Sequence, residues 1–220
     1  MNGIDAYVFD LYGTLVDYGS LRSHFTALVA DPDGFVATWR QKQLQYAFTS
    51  TLMDRYTDFD RLTELAFEYA GALHGISDDA LRDFAPRDAW SKLPPFPDAL
   101  PALRALRARG IRTAVLSNGT PGALAAVLAA SGLGTALETA LSVQSVREYK
   151  PRPAVYALAT RYFATSPQRI AFVSSNNWDV TGAAEFGLRT IWCSRSGLPA
   201  ETFGKSAERT ITTLDALLDA

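Results

Sequence analysis

Five short apolar runs alternating with helical stretches constrain this chain more than any other feature. "IDAYVFD", "RTAVLSN", "LETALSV", "RIAFVSS" and "RTIWC" each read as a buried strand of about four to seven residues. Between them lie the Ala- and Leu-rich stretches "PDALPALRALRARG", "PGALAAVLAASG", "RPAVYALATRYF" and "WDVTGAAEFG", three of which end in glycine, a common helix stop. Strands separated by single helices require right-handed βαβ crossovers, so the expected fold class is α/β with a doubly wound parallel sheet. The pattern breaks once. Between Val16 and about Pro95 there is no strand-like run, only helical segments such as "DGFVATWRQKQLQYAFTSTLMDRY" and "DRLTELAFEYAGALHG". "LPPFPD" closes this section like a hinge. The expected division is an α/β core of residues 1–15 and 96–220, with a helical insert over 16–95. An insert leaving the first strand at its C-terminal end can cover the crevice where open α/β sheets bind ligands.

The 220 residues suffice for one core with such an insert. A net charge of −2 with scattered Lys and Arg gives no electrostatic footprint for nucleic acid. The basic cluster "RALRARGIR" reads as the solvated face of a helix. No secretory leader is read at the N-terminus. No apolar run approaches the roughly 18 residues of a membrane span. The single cysteine, Cys193, has no internal disulfide partner, which fits a reducing cytoplasm, the expected location. Cys193 follows "LRTIW" and is expected in the core. His24 and His74, both in the insert, are expected to serve neither as metal ligands nor as bases.

Several strands end in polar residues. The first, in "AYVFDLYGTLVD", ends in Asp10; the second in "SNG", Ser117 to Gly119; the fourth in "SSNNWD", Ser174 to Asp179. Lys150 lies in "REYKPRP", just ahead of the helix that contains Tyr156. A parallel sheet brings these groups to one edge. A lone carboxylate at a strand end is more often a helix cap, but four converging polar sets have the pocket geometry of an active site.

In their order, "DLYGT", "LSNG", the "YKP" lysine and "SSNNWD" resemble the haloacid dehalogenase superfamily across nearly the whole chain. The insert's "WRQKQLQY" is similar to the L-2-haloacid dehalogenase branch. The resemblance implies a Rossmann-like core with a helical cap inserted after the first strand. Most members of the superfamily transfer phosphoryl groups, using a second Asp two residues beyond the nucleophile and Mg²⁺ held by acidic residues of the last motif. Here those places hold Tyr12 and Ser175. A phenol, with a reference pKa of about 10, exchanges protons poorly at neutral pH, and a neutral serine weakens a site for a hard cation. Asp10, Asp179, Lys150 and Arg40 together are neutral, which suits a monoanion better than a phosphomonoester. No metal and no cofactor are expected. The alternatives are a Mg²⁺-dependent phosphatase and an inactive interaction module; the retention of the whole polar set argues against the second.

For the site, the resemblance implies hydrolysis of short (S)-2-haloacids to (R)-2-hydroxy acids through an ester on Asp10. Lys150 keeps Asp10 ionised, and Thr14 donates to it. Ser117 and nearby backbone N–H groups hold the substrate carboxylate, and Arg40 and Asn118 receive the halide. Asp179 aligns or activates water, with Ser174, Asn176 and Lys150 fixing its position, and Tyr156 supports the lysine and the acidic pair. Tyr12, Leu44, Phe59 and Trp178 form an apolar wall, with Leu11 among the substrate-binding residues. Without the resemblance, Arg40 beside Gln41 and Lys42 reads as a solvated arginine, and Tyr12, Leu44 and Phe59 as plain core. The expected partners are a 2-haloacid and a halide ion. A homodimer is also expected, with "LQYAFTSTLM" either at its interface or in internal packing.

Overall fold

The computed structural model describes residues 3–219. Six parallel strands form one sheet in the order β3-β2-β1-β4-β5-β6: β1 (Ala6–Phe9), β2 (Arg112–Ser117), β3 (Thr139–Ser142), β4 (Ile170–Ser174), β5 (Arg189–Cys193) and β6 (Arg209–Ile211). The first five are the runs read from the sequence. β6 was not expected: three residues with one buried side chain carry too little periodicity to stand out. β1 and β4 are buried along their whole length, as a sheet covered on both faces demands. Cys193 is buried in β5. Running from β1 to β2 and β3 and then back to β4, the chain places its switch point beside β1, where open α/β sheets form their crevice.

Between β1 and β2 the chain is helical among the described residues. A 3-10 segment (Tyr18–His24) is followed by α1 (Pro32–Leu52), α2 (Phe59–Leu73), α3 (Asp78–Asp83), α4 (Pro86–Ser91) and then α5 (Ala99–Ala108). Helices α3 and α4, at six residues each, are too short for a periodic signal. α2 buries Phe59, Leu62, Thr63, Ala66, Phe67 and Ala70, the i, i+3, i+4, i+7 stripe of an amphipathic helix. That stripe packs on α1, where Phe35 and Trp39 meet Phe25, Phe67 and Phe84 in an aromatic core. Departure and return run side by side: Val16 bridges Pro95, Asp17 N donates to the Pro94 carbonyl at 2.9 Å, and Phe96 N donates to the Leu15 carbonyl at 2.9 Å. Proline-rich backbone can serve here because little of its pairing needs N–H donors.

The remaining helices are α6 (Pro121–Ala130), α7 (Pro153–Phe163) and α8 (Asn177–Phe186), and a 3-10 segment, Leu214–Asp219, ends the described chain. His24 stacks edge-on to Phe25, and His74 pairs with Thr38 at 3.1 Å. No helix among the described residues is long and apolar enough to cross a membrane.

Candidate active site

Asp10 begins where β1 stops. Its N–H donates to the Val173 carbonyl at 2.9 Å, continuing the β1–β4 pairing, after which the chain folds over itself with Leu15 N donating to the Leu11 carbonyl. The turn needs Gly13: its φ is +87°, and a Cβ there would lie 2.8 Å from the Tyr18 ring. This loop presents Thr14 to the carboxylate just formed. Thr14 Oγ1 donates to Asp10 Oδ2 at 3.1 Å and accepts from Ser175 N at 2.8 Å. Asn176 Nδ2 donates to the same oxygen at 2.8 Å, and Lys150 Nζ to Oδ1 at 3.0 Å. Three donors thus converge on one carboxylate that is 6% exposed.

Lys150, 1% exposed, also donates to Asp179 Oδ2 at 2.7 Å. Burial disfavours its ammonium, but Asp10 and Asp179 together outweigh burial and hold its pKa above the usual lysine value. Asp179 is fully buried. Burial pushes its pKa up to about 6 against the pull of Lys150, and the charge on Asp10 pushes the same way. Tyr156, on α7, donates to Asp179 Oδ1 at 2.8 Å, and burial holds its phenol well above the ordinary tyrosine value. Gly182 permits this approach, since a Cβ there would come within 2.6 Å of the Tyr156 hydroxyl and 2.4 Å of Pro151. Tyr156 therefore reaches the lysine only through Asp179.

The loop after β2 supplies the next groups. Ser117 Oγ accepts from Gly119 N at 3.2 Å, leaving the hydroxyl proton to donate. Asn118 Oδ1 accepts from Lys150 N at 3.2 Å, so the amide N–H bonds of Asn118 are its donors for a ligand. Ser174 Oγ accepts from Asn176 N at 3.1 Å and so holds the loop that carries that amide. Asn176 itself was expected around the water of Asp179, yet its side chain lies on Asp10.

Arg40 comes from α1. The default reading as a solvated arginine is overturned: it is 7% exposed, with its guanidinium 5.4 Å from the Tyr18 ring, 5.6 Å from Trp90 and 6.0 Å from Tyr12. Burial pulls its pKa down, and it remains a cation. Its Nη1 donates to Gln43 Oε1 at 2.5 Å, while Nε is buried without a partner. Phe59 is buried where α2 begins, and Tyr12 packs edge-on against Trp90 at 5.2 Å. Trp178 is half-buried and packs edge-on against Phe48 of α1 at 5.1 Å. Leu44 is half-buried one turn beyond Arg40, and Leu11 is fully buried in the core.

Two cavities adjoin this cluster. One of ≈ 350 Å³ is lined by Tyr12, Gln43, Phe59, Asp60 and Trp90; the other, ≈ 280 Å³, by Gly13, Tyr18, Asn176 and Arg195. Asp10 lines neither, but its loop neighbours Tyr12 and Gly13 line one each. Gln43, Trp90 and Arg195 were missed from the sequence. Arg195 donates through Nε to the Thr14 carbonyl at 2.9 Å, pairs with Asp98 at 2.9 Å and lies 3.9 Å over the Phe96 ring. It ties the Asp10 loop to the returning linker across separations that leave no local signal.

For a hard divalent cation the donor set is a poor fit. The two carboxylates of the cluster are bridged by the Lys150 ammonium, and Ser175 beside them is neutral. Among the described residues no group of three or more His, Cys, Asp or Glu side chains is placed to hold a metal.

Residues 4–187 match the model of the haloacid dehalogenase-like hydrolases. The (S)-2-haloacid dehalogenase of Pseudomonas sp. (strain YL) is 38% identical over 220 residues, covering 100% of this chain and 95% of that protein. A dehalogenase solved as an intermediate complex has a TM-score of 0.95 at 34% identity, covering 100% of this chain and 97% of the other. The L-2-haloacid dehalogenase from Xanthobacter autotrophicus, solved with chloropropionic acid covalently bound, has a TM-score of 0.87 at 32% identity, covering 97% and 96%. The structural likeness extends over nearly the whole chain, and the chain belongs to the haloacid dehalogenase-like hydrolase family.

Proposed function

We propose that this protein is an (S)-2-haloacid dehalogenase that hydrolyses short 2-haloalkanoic acids to (R)-2-hydroxy acids through an ester on Asp10, without a metal. The observation that carries the reading is the Asp10 carboxylate, held in place by Lys150, Thr14 and Asn176, with Tyr12 rather than an acid two residues on. Oδ2 already accepts from two donors and Oδ1 from one, so Oδ1 keeps the freer lone pair and is the nucleophile. It attacks the carbon bearing halogen from the side opposite the leaving group; a C–O bond forms, the C–X bond breaks, and halide leaves with the electron pair. The carbon inverts once. Water then adds to the Asp10 carboxyl carbon while Asp179 takes its proton, and the acyl C–O bond breaks as that proton passes to the departing oxygen, releasing the hydroxy acid and restoring both carboxylates. Covalent catalysis of this kind divides one hard displacement into two steps.

Ser117 and backbone N–H groups of the strand-end loops hold the substrate carboxylate. Arg40 and the Asn118 amide receive the departing halide, where a donor aimed at developing charge is worth about 3 kcal/mol. Tyr12, Leu11, Leu44, Phe59 and Trp178 keep water from the reacting carbon. Residues 16–95 act as a cap over the core of residues 1–15 and 96–220. The enzyme works in the cytoplasm as a homodimer, with Leu52 and Met53, both exposed at the end of α1, as candidates for its interface.

Halide release from (S)-2-chloropropionate, unaffected by chelator, is the expected result, together with a mass increment on the Asp10 peptide after single-turnover trapping. Release that stops with chelator, or label on a different carboxylate, would overturn the reading. Mg²⁺-dependent cleavage of phosphate esters without halide release would identify a phosphatase instead.

A further inference from the structure

We infer that Gln43 is the positioning residue of the halide end of the site, and that its neutrality leaves the charge of Arg40 for the departing ion. The inference rests on the reading of Arg40 as halide receiver. Gln43 is fully buried and both ends of its amide are engaged. A guanidinium only donates, so Oε1 must face Arg40 and Nε2 must donate to Thr63 Oγ1, at 2.6 Å. The Thr63 hydroxyl in turn donates to the Phe59 carbonyl at 2.7 Å. Each link has one possible direction. The relay joins the guanidinium to the backbone of Phe59, so the donor and the apolar wall of the site move together.

What surrounds Arg40 makes the choice of an amide chemically significant. Among the described residues it has no carboxylate within 4.0 Å. Tyr12, Tyr18 and Trp90 surround it, and rings attract a cation without cancelling its charge. Its Nε, buried and unpartnered, is a donor left for something outside the protein. Glu at position 43 would occupy the same volume and still accept from Arg40, yet would neutralise it and, like Met, lose the donor to Thr63. It would also oppose the halide in a water-poor setting where charges act strongly. Gln holds the arginine without that cost, and the rest of α1 contributes no acid between Asp33 and Asp54.

Charge and position can be separated with Gln43→Glu and Gln43→Met. The measurements are kcat for (S)-2-chloropropionate and (S)-2-bromopropionate, inhibition by added chloride and bromide, and thermal unfolding. Gln43→Glu should stay folded and weaken halide inhibition on the order of tenfold. Its kcat should fall further for the chloro than for the bromo substrate, because chloride is the poorer leaving group and depends more on stabilisation. Gln43→Met, which frees the guanidinium without neutralising it, should lower kcat for both and shift the chloro-to-bromo ratio less. A folded Gln43→Glu with the parent's inhibition constants and substrate ratio would overturn the inference. Should that variant not fold, an unchanged kcat in Gln43→Met would do so. Arg40→Met tells the two failures apart: if it keeps parental halide inhibition, the assignment of Arg40 is wrong; if it loses inhibition while both Gln43 variants behave as parent, only the role of Gln43 is wrong.

Discussion

Lys150 and Arg40 are both buried cations, 1% and 7% exposed, yet the sheet and the helical insert accommodate them in opposite ways. Lys150 sits between two carboxylates at 2.7 and 3.0 Å, and its pKa moves up. Arg40 sits among three aromatic rings with one neutral amide as acceptor, and its pKa moves down. The sheet half of the site carries two negative charges against one positive, and the insert half carries one positive. The first arrangement fixes the Asp10 carboxylate from several sides, as the proposed nucleophile requires. The second leaves a cation with no paired carboxylate among the described residues, which suits the proposed arrival of an anion there.

The sharpest break of this comparison is to remove each cation in turn. Lys150→Met leaves Asp10 and Asp179 facing each other without a counter-charge, and breaking a buried pair from one side costs about 3–5 kcal/mol. Turnover should fall on the order of 10³-fold or more, and the variant should regain stability as pH is lowered and one carboxylate takes a proton. Arg40→Met breaks no ion pair, so its stability loss should be smaller by at least about 2 kcal/mol, although it too loses turnover. Urea unfolding of both variants at pH 8 and pH 5 checks this. Equal losses would mean that the aromatic surroundings of Arg40 hold it as firmly as carboxylates hold Lys150.

A smaller effect sharpens the carboxylate side. Asp179 titrates at about 6 rather than the usual 3.8, chiefly through burial. Between these values the folded protein holds a proton that the unfolded chain has lost. The group's contribution to stability is therefore complete below about pH 4 and is lost as pH rises through about 6. Activity should run the other way if Asp179 takes the proton of water as proposed, since it must then be ionised: kcat should decline as pH falls through about 6. Tyr156→Phe removes the hydroxyl that donates to Asp179 Oδ1 and favours its charged form. The acid limb of kcat should move to higher pH, while Arg40→Met should leave that limb in place in its residual activity. A Tyr156→Phe profile superposable on the parent's would detach Tyr156 from the titrating pair.

The same contrast decides how much could be read in advance. The sheet half was legible because strand ends carry their chemistry in short stretches: Asp10 and Thr14 in one loop, and Ser174, Asn176 and Asp179 where β4 passes into α8. The insert half was not. On α1 the buried set runs Phe35, Val36, Trp39, Arg40, Gln43, Ala47, Ser50, so polar and apolar residues share the inward stripe and the amphipathic signal cancels. Arg40 was then recoverable only through the family pattern, and Gln43 not at all. Arg195 and Asp98 pair across 97 positions, and Trp90 lies on a helix of six residues; neither leaves periodicity to find.

The smallest expected effect concerns the joint between the halves. Thr120 Oγ1 donates to Asp60 Oδ2 at 3.0 Å and accepts from Ala123 N at 3.1 Å. One hydroxyl thus caps α6 and ties the first turn of α2 to the loop carrying Asn118. Burial pushes the pKa of Asp60 up, against the pull of the Thr120 hydrogen bond. Thr120→Val removes both bonds, and the lost cap alone costs about 1 kcal/mol; Thr120→Ser keeps both. If Phe59 and Asn118 flank the halide as proposed, Thr120→Val should raise KM a few-fold and lower kcat less, and Thr120→Ser should restore both. If Thr120→Val instead lost turnover to the extent of Lys150→Met, the insert could not be a separately built half at all. Its register on the sheet would then be as much a part of the chemistry as the carboxylates at the strand ends.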